Sequence, residues 1–230
     1  MAGYEVAVIE KKVRCPDVLS VRFERPEGYS FEPGQYLALT LQTHNGLQTK
    51  QFSHSSAIGD AYLEVTTRLS GSTFKYAMSA LHPGDRVRIA GPAGRLTLPE
   101  GEHRVAFLVG GVGITPVISM LRSWEPSAAP EAVLFYGNRE PECIPFVHEI
   151  GALEGERLAV VHVVESAAGT WAGERGFITP EVVRRHLDPA DGWFFIVAGP
   201  PVMVNAMEAC LVALEVPPSR ALIERFGPPA

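Results

Sequence analysis

Hydrophobic and polar positions follow two different patterns along the 230 residues. Up to about residue 98, apolar residues alternate or cluster in short runs rich in β-branched and aromatic side chains, as is typical of strands. Turn residues separate these runs, and Asn45-Gly46 is a strong hairpin signal because both residues tolerate positive φ. Only one helix is predicted here, over 73–81. Several short antiparallel strands with one helix predict a small closed β-barrel. The predicted strands lie in YEVAVIEKKVR, VLSVRFERP, QYLALTLQT, AYLEVTTRL and DRVRIAGP.

After Gly101 the pattern changes to apolar strands that alternate with amphipathic helices. Strands that are apolar throughout and alternate with helices indicate a parallel sheet covered on both faces. The sequence therefore predicts two domains, an antiparallel β-barrel over residues 1–99 and a parallel-sheet α/β domain over residues 100–230. The predicted strands of the second domain are RVAFLVGG, EAVLFYGNRE, RLAVVHVVES, GWFFIVAGP and RALIERF, and the predicted helices are ITPVISMLRSW, PFVHEIGALEG, TPEVVRRHLD and PPVMVNAMEACLVALE.

Composition and charge narrow the possible partners. Apolar residues make up 46% and charged residues 20%, as in ordinary globular proteins. The net charge is −6 and no cluster of Lys or Arg is present, so nucleic acid and anionic lipid are not expected as partners. No run of about eighteen apolar residues occurs, and the N-terminal residues lack a signal-peptide pattern, so we expect no membrane span and a cytoplasmic location.

Metal chemistry is not expected from this chain. The three cysteines are widely spaced and form no CxxC pair, which argues against a zinc site or an iron–sulfur cluster held by these residues. The histidines show no metal-ligand spacing either, so packing or surface roles are the ordinary interpretation for them.

A glycine-rich turn is the strongest single local signal. In LVGGVGITPVISML, a buried strand leads into Gly110-Gly111-Val112-Gly113, and a helix begins near Thr115-Pro116. Proline suits the first helical turn because its missing N–H has no partner there. Such a corner lets a pyrophosphate approach the backbone and the positive end of the helix. The spacing is GxGxxP, which does not match the GxGxxG of ordinary Rossmann dehydrogenases, and a tight turn without a ligand is the alternative.

Seven short motifs occur in an order that is typical of one family of flavoproteins. They are KQFSHSS, GSTFKYAM, GPAG, GGVGITP, FYGNRE, AGPPVM and ERF. The chain resembles the ferredoxin–NADP reductase superfamily in its two-domain form without an iron–sulfur domain. The resemblance covers nearly the whole chain. It implies an N-terminal flavin-binding β-barrel, a C-terminal nicotinamide-binding α/β domain, and FAD and NAD(P)H as cofactors.

The flavin site implied by the resemblance centres on Ser53, whose hydroxyl would lie near flavin N5 and stabilise charge on the reduced ring. Phe52 would pack against the isoalloxazine. The helix that follows Ser72 offers free N–H groups to a flavin phosphate, and an N-cap without a ligand is the alternative. The predicted flavin-side residues are Lys50, Gln51, Phe52, Ser53, His54, Ser55, Thr67, Gly71, Ser72, Thr73 and Phe226.

The nicotinamide site implied by the resemblance places Thr115 near the nicotinamide ring. Arg139 would hold a 2′-phosphate and favour NADPH, or it is an ordinary solvated arginine, and the two interpretations stay open. Ser53, Thr115, Glu224 and Phe226 are the predicted catalytic residues. The predicted nucleotide-side residues are Gly110, Gly111, Val112, Gly113, Thr115, Pro116, Asn138, Arg139, Gly199, Pro200 and Met203.

Two positions depart from the family pattern. Lys50 stands where the family usually has Arg, which keeps the charge but loses the bidentate fork, so weaker flavin retention is expected. Ala198 stands where many members have Cys. Because hydride transfer depends mainly on positioning, slower or differently gated transfer is expected at this site.

The predicted function is a flavoprotein oxidoreductase that passes a hydride from NAD(P)H to bound FAD and electrons to a separate acceptor. That acceptor is a ferredoxin, a flavodoxin, a haem protein or an oxygenase, because the chain holds no iron–sulfur motif. One alternative is an NAD(P)H-dependent reductase of free flavin or ferric iron. An alternative of another class is a non-catalytic electron-transfer or nucleotide-sensing subunit.

Overall fold

A computed structural model describes residues 2–125 and 129–227 of the chain. These residues divide into two compact units. One unit runs to Leu98 and also includes Thr115–Ser123, and the other comprises Pro99–Ile114 and the described residues from Trp124 onwards. None of the helices in this part of the chain is long and apolar enough to cross a membrane.

The first unit contains a six-stranded antiparallel sheet with the strand order β4-β3-β6-β1-β2-β5. A bridge between His54 and Val65 connects the two edge strands, which is how the sheet curls toward a barrel. The core includes Phe23, Leu37 and Phe74, all close to fully buried. The elements are β1 (Ala2–Cys15), β2 (Val18–Glu24), β3 (Tyr36–Thr43), β4 (Gly46–Ser53), β5 (Tyr62–Arg68), α1 (Thr73–Ala80) and β6 (Arg86–Ala93).

Strand β4 was absent from the predicted strands, although the hairpin that precedes it was predicted. Four of its eight residues, GLQTKQFS, are exposed and only the last two are buried, so they give little hydrophobic pattern. The strand forms because it pairs with β3 along its whole length, from Thr43 opposite Gly46 to Tyr36 opposite Ser53. Gly46 has a φ of 90°, a value that glycine adopts without strain.

The second unit contains a six-stranded sheet with the order β10-β9-β8-β7-β11-β12, and its ladders are all parallel. Helices α4 and α5 contribute Val183, Val204 and Leu211 to a core that also contains Phe135 and Phe195 of the sheet. The elements are β7 (Arg104–Gly110), α2 (Ile114–Ser123), β8 (Glu131–Asn138), α3 (Val147–Leu153), β9 (Leu158–Val164), β10 (Glu174–Arg175), α4 (Pro180–His186), β11 (Phe194–Gly199), α5 (Pro201–Ala213) and β12 (Ala221–Arg225), with 3₁₀ turns at Gly111–Gly113, Pro141–Cys143, Pro189–Asp191 and Pro218–Arg220.

The predicted fold class is therefore confirmed: an antiparallel, curled β-sheet is followed by a parallel α/β sheet. The predicted strands and helices of the second half all form, and the two-residue strand β10 is the addition. Strands β7 and β11 are buried along almost their whole length, which explains why they are apolar throughout.

Candidate functional site

The predicted flavin-side residues of the first unit begin at the end of β4. Lys50 and Gln51 are exposed, whereas Phe52 and Ser53 are buried. The side-chain amide of Gln51 donates to the hydroxyl of Tyr36 at 3.3 Å. Alternation along the strand thus turns Phe52 toward the core, where its ring stacks on Phe74 with 5.8 Å between centroids.

His54 follows Ser53 directly, and its side chain lies in the interior of the unit. The imidazole is stacked on Phe31 with 4.0 Å between ring centroids, and its Nε2 is 3.1 Å from the hydroxyl of Tyr29. Burial lowers the pKa of His54 to about 3, with a smaller contribution from the charge of Arg25. The ring is therefore neutral. None of the residue is exposed, and its Nδ1 is buried without a hydrogen-bond partner among the described residues.

The start of α1 presents the predicted phosphate-binding segment. Gly71 and Ser72 are exposed, and the Ser72 hydroxyl accepts a hydrogen bond from the N–H of Lys75 at 3.3 Å. The cap leaves the other N–H groups of this first turn available to an anion. A Cβ built on Gly71 meets no atom within 4 Å, so the approach to this backbone is open.

Lys75 was not among the predicted site residues. Its ammonium donates to the hydroxyl of Thr67 and to the carbonyl of Arg68, and it lies 5.5 Å from the centre of the Phe52 ring. Burial lowers the pKa of Lys75 to about 8. A lysine in the first turn of a helix after Gly-Ser-Thr was the available signal. The Lys75 ammonium places a cation beside two predicted flavin-side residues, Thr67 and Phe52.

In the second unit, the glycine turn connects β7 to α2. Its backbone is closely packed: a Cβ on Gly110 would lie 2.5 Å from Met203 Sδ, and a Cβ on Gly113 would lie 2.2 Å from the carbonyl oxygen of Ala198. Tyr136, which the sequence did not single out, donates from its hydroxyl to the carbonyl of Gly111 at 3.0 Å. These contacts hold the turn at the carboxyl ends of adjacent parallel strands, where ligands bind in such sheets.

Asn138 and Arg139 lie at the carboxyl end of β8, as predicted. Both polar side-chain atoms of Asn138 are buried and have no hydrogen-bond partner among the described residues. Arg139 is exposed. Because buried amides are normally paired, the unpartnered amide indicates a site for a polar ligand.

Glu224 and Phe226 lie at the end of β12. The Oε2 atom of Glu224 is buried without a hydrogen-bond partner in the described part of the chain, and burial raises the pKa of this carboxyl to about 7. The N–H of Phe226 donates to the carbonyl of Gly199 at 2.9 Å, which ties the end of β12 to the end of β11. Pro200 is the N-cap of α5, and Met203 lies in the first turn of this helix.

These features fit the two cofactors that the sequence predicts. The turn with Gly110 and Gly113 is packed too closely against Met203 and Ala198 to admit a Cβ, and Asn138 and Glu224 are among the buried side chains of this unit with polar atoms that have no partner in the described residues. On the flavin side, the open start of α1 and the nearby Lys75 cation suit a phosphate. Thr115 and Pro116 form the first turn of α2 and are both buried.

Comparison with known proteins finds two family models that match this chain. Residues 5–98 match the family model of the oxidoreductase FAD-binding domain, and residues 107–209 match that of the oxidoreductase NAD-binding domain. The chain belongs to the ferredoxin–NADP reductase superfamily. The two matches confirm the prediction of FAD and a nicotinamide dinucleotide as cofactors.

Individual relatives have different names and lengths. Ferredoxin–NADP reductase B of Sorangium cellulosum is 29% identical, and the match covers 97% of each chain. A flavohemoprotein of Halalkalibacterium halodurans is 28% identical over 96% of this chain and 59% of its own. The chain spans about half of the length of several curated relatives, from 47% to 59%.

A solved structure shares the fold. The ferredoxin NADP⁺ reductase of Neisseria gonorrhoeae, determined with bound FAD and NADP, matches with a TM-score of 0.85 at 22% identity. The match covers 98% of this chain and 99% of that one.

Proposed function

We propose that the protein transfers a hydride from NAD(P)H to bound FAD and passes electrons to a separate acceptor. The observation that carries the proposal is the closely packed glycine turn at the carboxyl ends of β7 and β11. The close packing of Gly110 against Met203 and of Gly113 against Ala198 fixes the turn at the carboxyl ends of these strands, which is where nucleotide phosphates bind in parallel sheets.

The side chains have separate roles in this proposal. Ser53 supplies a hydroxyl to the flavin ring, and Thr115 orients the nicotinamide. Glu224, whose pKa is raised to about 7 by burial, takes up and releases a proton near neutral pH and can donate a hydrogen bond or a proton in its protonated form. Phe226 covers the ring and excludes water. Bound FAD supplies the redox chemistry, because it accepts a hydride and releases electrons together or singly.

The acceptor is proposed to be a separate redox protein: a ferredoxin, a flavodoxin, a haem protein or an oxygenase. The residues given contain no cysteine run for an iron–sulfur cluster, so electrons leave the flavin directly for another molecule. Relatives named as a ferredoxin–NADP reductase and as a propane 2-monooxygenase reductase component support this class of partner.

A second candidate is a reductase that takes free flavin as a substrate, or one that reduces ferric iron. Lys50 is exposed, and Gly71 and Ser72 are exposed as well, which favours a flavin phosphate that is held loosely. In that case the purified protein would lose flavin on gel filtration yet oxidise NAD(P)H when free flavin is added.

Anaerobic titration of the FAD-loaded protein with NADH and with NADPH, followed by its visible spectrum, tests the proposal. Bleaching of a retained flavin by either nucleotide would establish the hydride half-reaction. A colourless protein that turns over only with added flavin would favour the second candidate. A protein that neither binds flavin nor turns over would overturn both candidates and favour a non-catalytic nucleotide-sensing subunit.

A further inference from the structure

Three polar side chains of α2 bind the backbone of the segment that follows Ser53. The hydroxyl of Ser119 donates to the carbonyl of Ser56 at 2.7 Å, and the guanidinium of Arg122 donates to the carbonyl of Ser55 at 2.9 Å. The hydroxyl of Ser123 accepts from the N–H of Ile58 at 3.0 Å. We call Ser119, Arg122 and Ser123 the polar stripe of α2. Their spacing of three and four residues puts them on one face of the helix.

Arg122 makes the largest number of these contacts. Its second Nη donates to Asp60 Oδ2 at 3.1 Å and to the hydroxyl of Tyr62 at 3.2 Å, and its first lies 3.9 Å from Glu64 Oε1. Asp60 in turn accepts from the N–H of Ala57 at 2.8 Å. The planar guanidinium therefore fixes both ends of the segment at once, which an ammonium cannot do.

Glu64 holds the same segment from β5. Its carboxylate is fully buried and accepts from the hydroxyl of Ser55 at 3.0 Å, while its backbone N–H donates to Ser56 Oγ at 3.1 Å. Arg14 and Arg22 donate to the same carboxylate at 3.0 and 2.8 Å. A buried carboxylate with this many partners has one preferred arrangement, because any displacement leaves a charge unpaired.

The polar stripe also shares its face with Thr115, which lies one turn before Ser119. Thr115 and the segment after Ser53 belong to the same compact unit. The proposed function assigns Ser53 to the flavin and Thr115 to the nicotinamide. The contacts of Arg122 thus connect the helix that carries one of these residues to the strand end that carries the other.

We propose, on the basis of the proposed function, that Arg122 is a positioning residue that sets the Ser53 hydroxyl relative to Thr115 through its bonds to Ser55 and Asp60. Hydride transfer requires donor and acceptor atoms about 3–3.5 Å apart, and a misplacement of about 1 Å costs about 100-fold in rate. A displaced Ser55 carbonyl would move Ser53, two residues earlier, by a fraction of that distance. We therefore expect a rate effect of about tenfold.

The test uses Arg122→Met in the FAD-loaded protein, with Arg86→Met as the matched control. Arg86 lies in the same unit and makes exposed contacts: ion pairs at 3.2 Å with Glu5 and 3.4 Å with Glu24, and a hydrogen bond to the Glu5 carbonyl at 3.2 Å. The fold is expected to survive Arg122→Met because Glu64 keeps two other arginines. Anaerobic stopped-flow reduction over a series of NAD(P)H concentrations separates the limiting rate of flavin reduction from the Kd for NAD(P)H. Visible circular dichroism of the bound flavin reports its contacts without turnover.

We expect Arg122→Met to lower the limiting rate of flavin reduction about tenfold and to change the circular dichroism of the flavin. The Kd for NAD(P)H should be nearly unchanged. Arg122→Lys should recover part of the rate, and Arg86→Met should match the wild type. A variant that retains flavin and has wild-type rate and dichroism would overturn the inference, even if its melting temperature fell. If Arg122→Met does not fold, Ser119→Ala removes one bond of the stripe and must show the same rate effect in smaller measure. A wild type that binds no flavin and is not reduced would instead overturn the proposed function, and the inference with it.

Discussion

Gly113 lies so close to Ala198 that a Cβ built on Gly113 would be 2.2 Å from the Ala198 carbonyl oxygen and 2.7 Å from its carbonyl carbon. These are backbone atoms of a fully buried strand, so they cannot move aside as the end of a side chain would. Gly113 has an ordinary helical φ of −60°. The glycine is therefore required by space and not by backbone conformation.

We expect Gly113→Ala to destabilise the protein by about 3 kcal/mol or more, because the added methyl group forces a strand end to shift. Thermal unfolding and NAD(P)H binding of the same preparation measure the effect. Gly151→Ala is the matched control: Gly151 lies in α3 with no atom within 4 Å of its added Cβ, so this change should be neutral or stabilising. Equal stability of the two variants would contradict the packing argument.

A second prediction concerns the effect of Ala198 on the rate of flavin reduction. This residue is 0% exposed and lies beside the glycine turn. Ala198→Cys restores the residue that many superfamily members have. We expect it to raise the limiting rate of flavin reduction by up to about tenfold, the equivalent of about 1.4 kcal/mol. Ala106→Cys makes the same change at another buried strand position and should not alter the rate. If both variants behave alike, position 198 contributes packing alone.

The fold was largely predictable because each unit has its own periodicity. Strands such as FFIVAG of β11 are buried on both faces and are apolar throughout, and the amphipathic helices between them indicate a parallel sheet. Strand β4 was not predictable in this way. Its exposed residues carry no hydrophobic signal, and its pairing with β3 determines its conformation.

The candidate site was predictable only where its residues are close together in sequence. The glycine turn and the segment ending at Ser53 are local motifs, so the sequence places them. Glu64 is different: in AYLEVTTRL its polar position predicts a solvent-facing side chain, yet it is 0% exposed. Its partners Arg14, Arg22 and Arg122 are far away in sequence, and only the fold brings them together.

Arg139 decides between the two nicotinamide cofactors if it binds a 2′-phosphate. We expect Arg139→Ala to raise the KM for NADPH about 10-fold to 100-fold, as for the loss of a hydrogen bond to a charged group of about 1.5–3 kcal/mol, and to leave the KM for NADH unchanged. Arg185→Ala, an exposed arginine paired with Glu174 in the same unit, is the control. An unchanged ratio of the two KM values would show that Arg139 is only solvated.

Glu224 should make both stability and flavin reduction depend on pH near neutrality. Its folded pKa is raised to about 7 from 4.5 by burial, so the folded protein binds the proton more tightly than the unfolded chain. The contribution to stability is therefore complete below pH 4.5 and is lost as the pH rises through 7. Its size is on the order of 2–3 kcal/mol.

Urea unfolding at pH 5 and pH 9 measures this contribution as a difference between the wild type and Glu224→Gln, which stays neutral. The loss of stability between the two pH values should be smaller in Glu224→Gln. The inflection near pH 7 in the rate of flavin reduction should disappear in the same variant. Glu208→Gln, at an exposed glutamate paired with Arg225, should keep the inflection. Identical pH profiles for the wild type and Glu224→Gln would show that the carboxyl does not titrate in this range.

His54 should make the first unit sensitive to acid. Burial lowers its folded pKa to about 3 from 6.5, so the unfolded chain takes up a proton that the folded protein does not. The sign is therefore opposite to that for Glu224: the stability is complete above pH 6.5 and is lost as the pH falls toward 3. Between pH 7.5 and pH 5 the loss is about 2 kcal/mol.

The measurement is the free energy of unfolding at these two pH values for the wild type and for His54→Gln. The glutamine cannot be protonated, and its amide can still bond to the Tyr29 hydroxyl that lies 3.1 Å from His54 Nε2. We expect His54→Gln to be less stable at pH 7.5, because it loses the stack on Phe31, but to lose about 2 kcal/mol less on acidification. His82→Gln, at a side chain that is 78% exposed, should lose as much stability on acidification as the wild type. If the free energy of unfolding changed with pH by the same amount in all three proteins, His54 would have to be protonated within the folded unit. The core next to Ser53 would then be more open to water than the packing of the imidazole indicates.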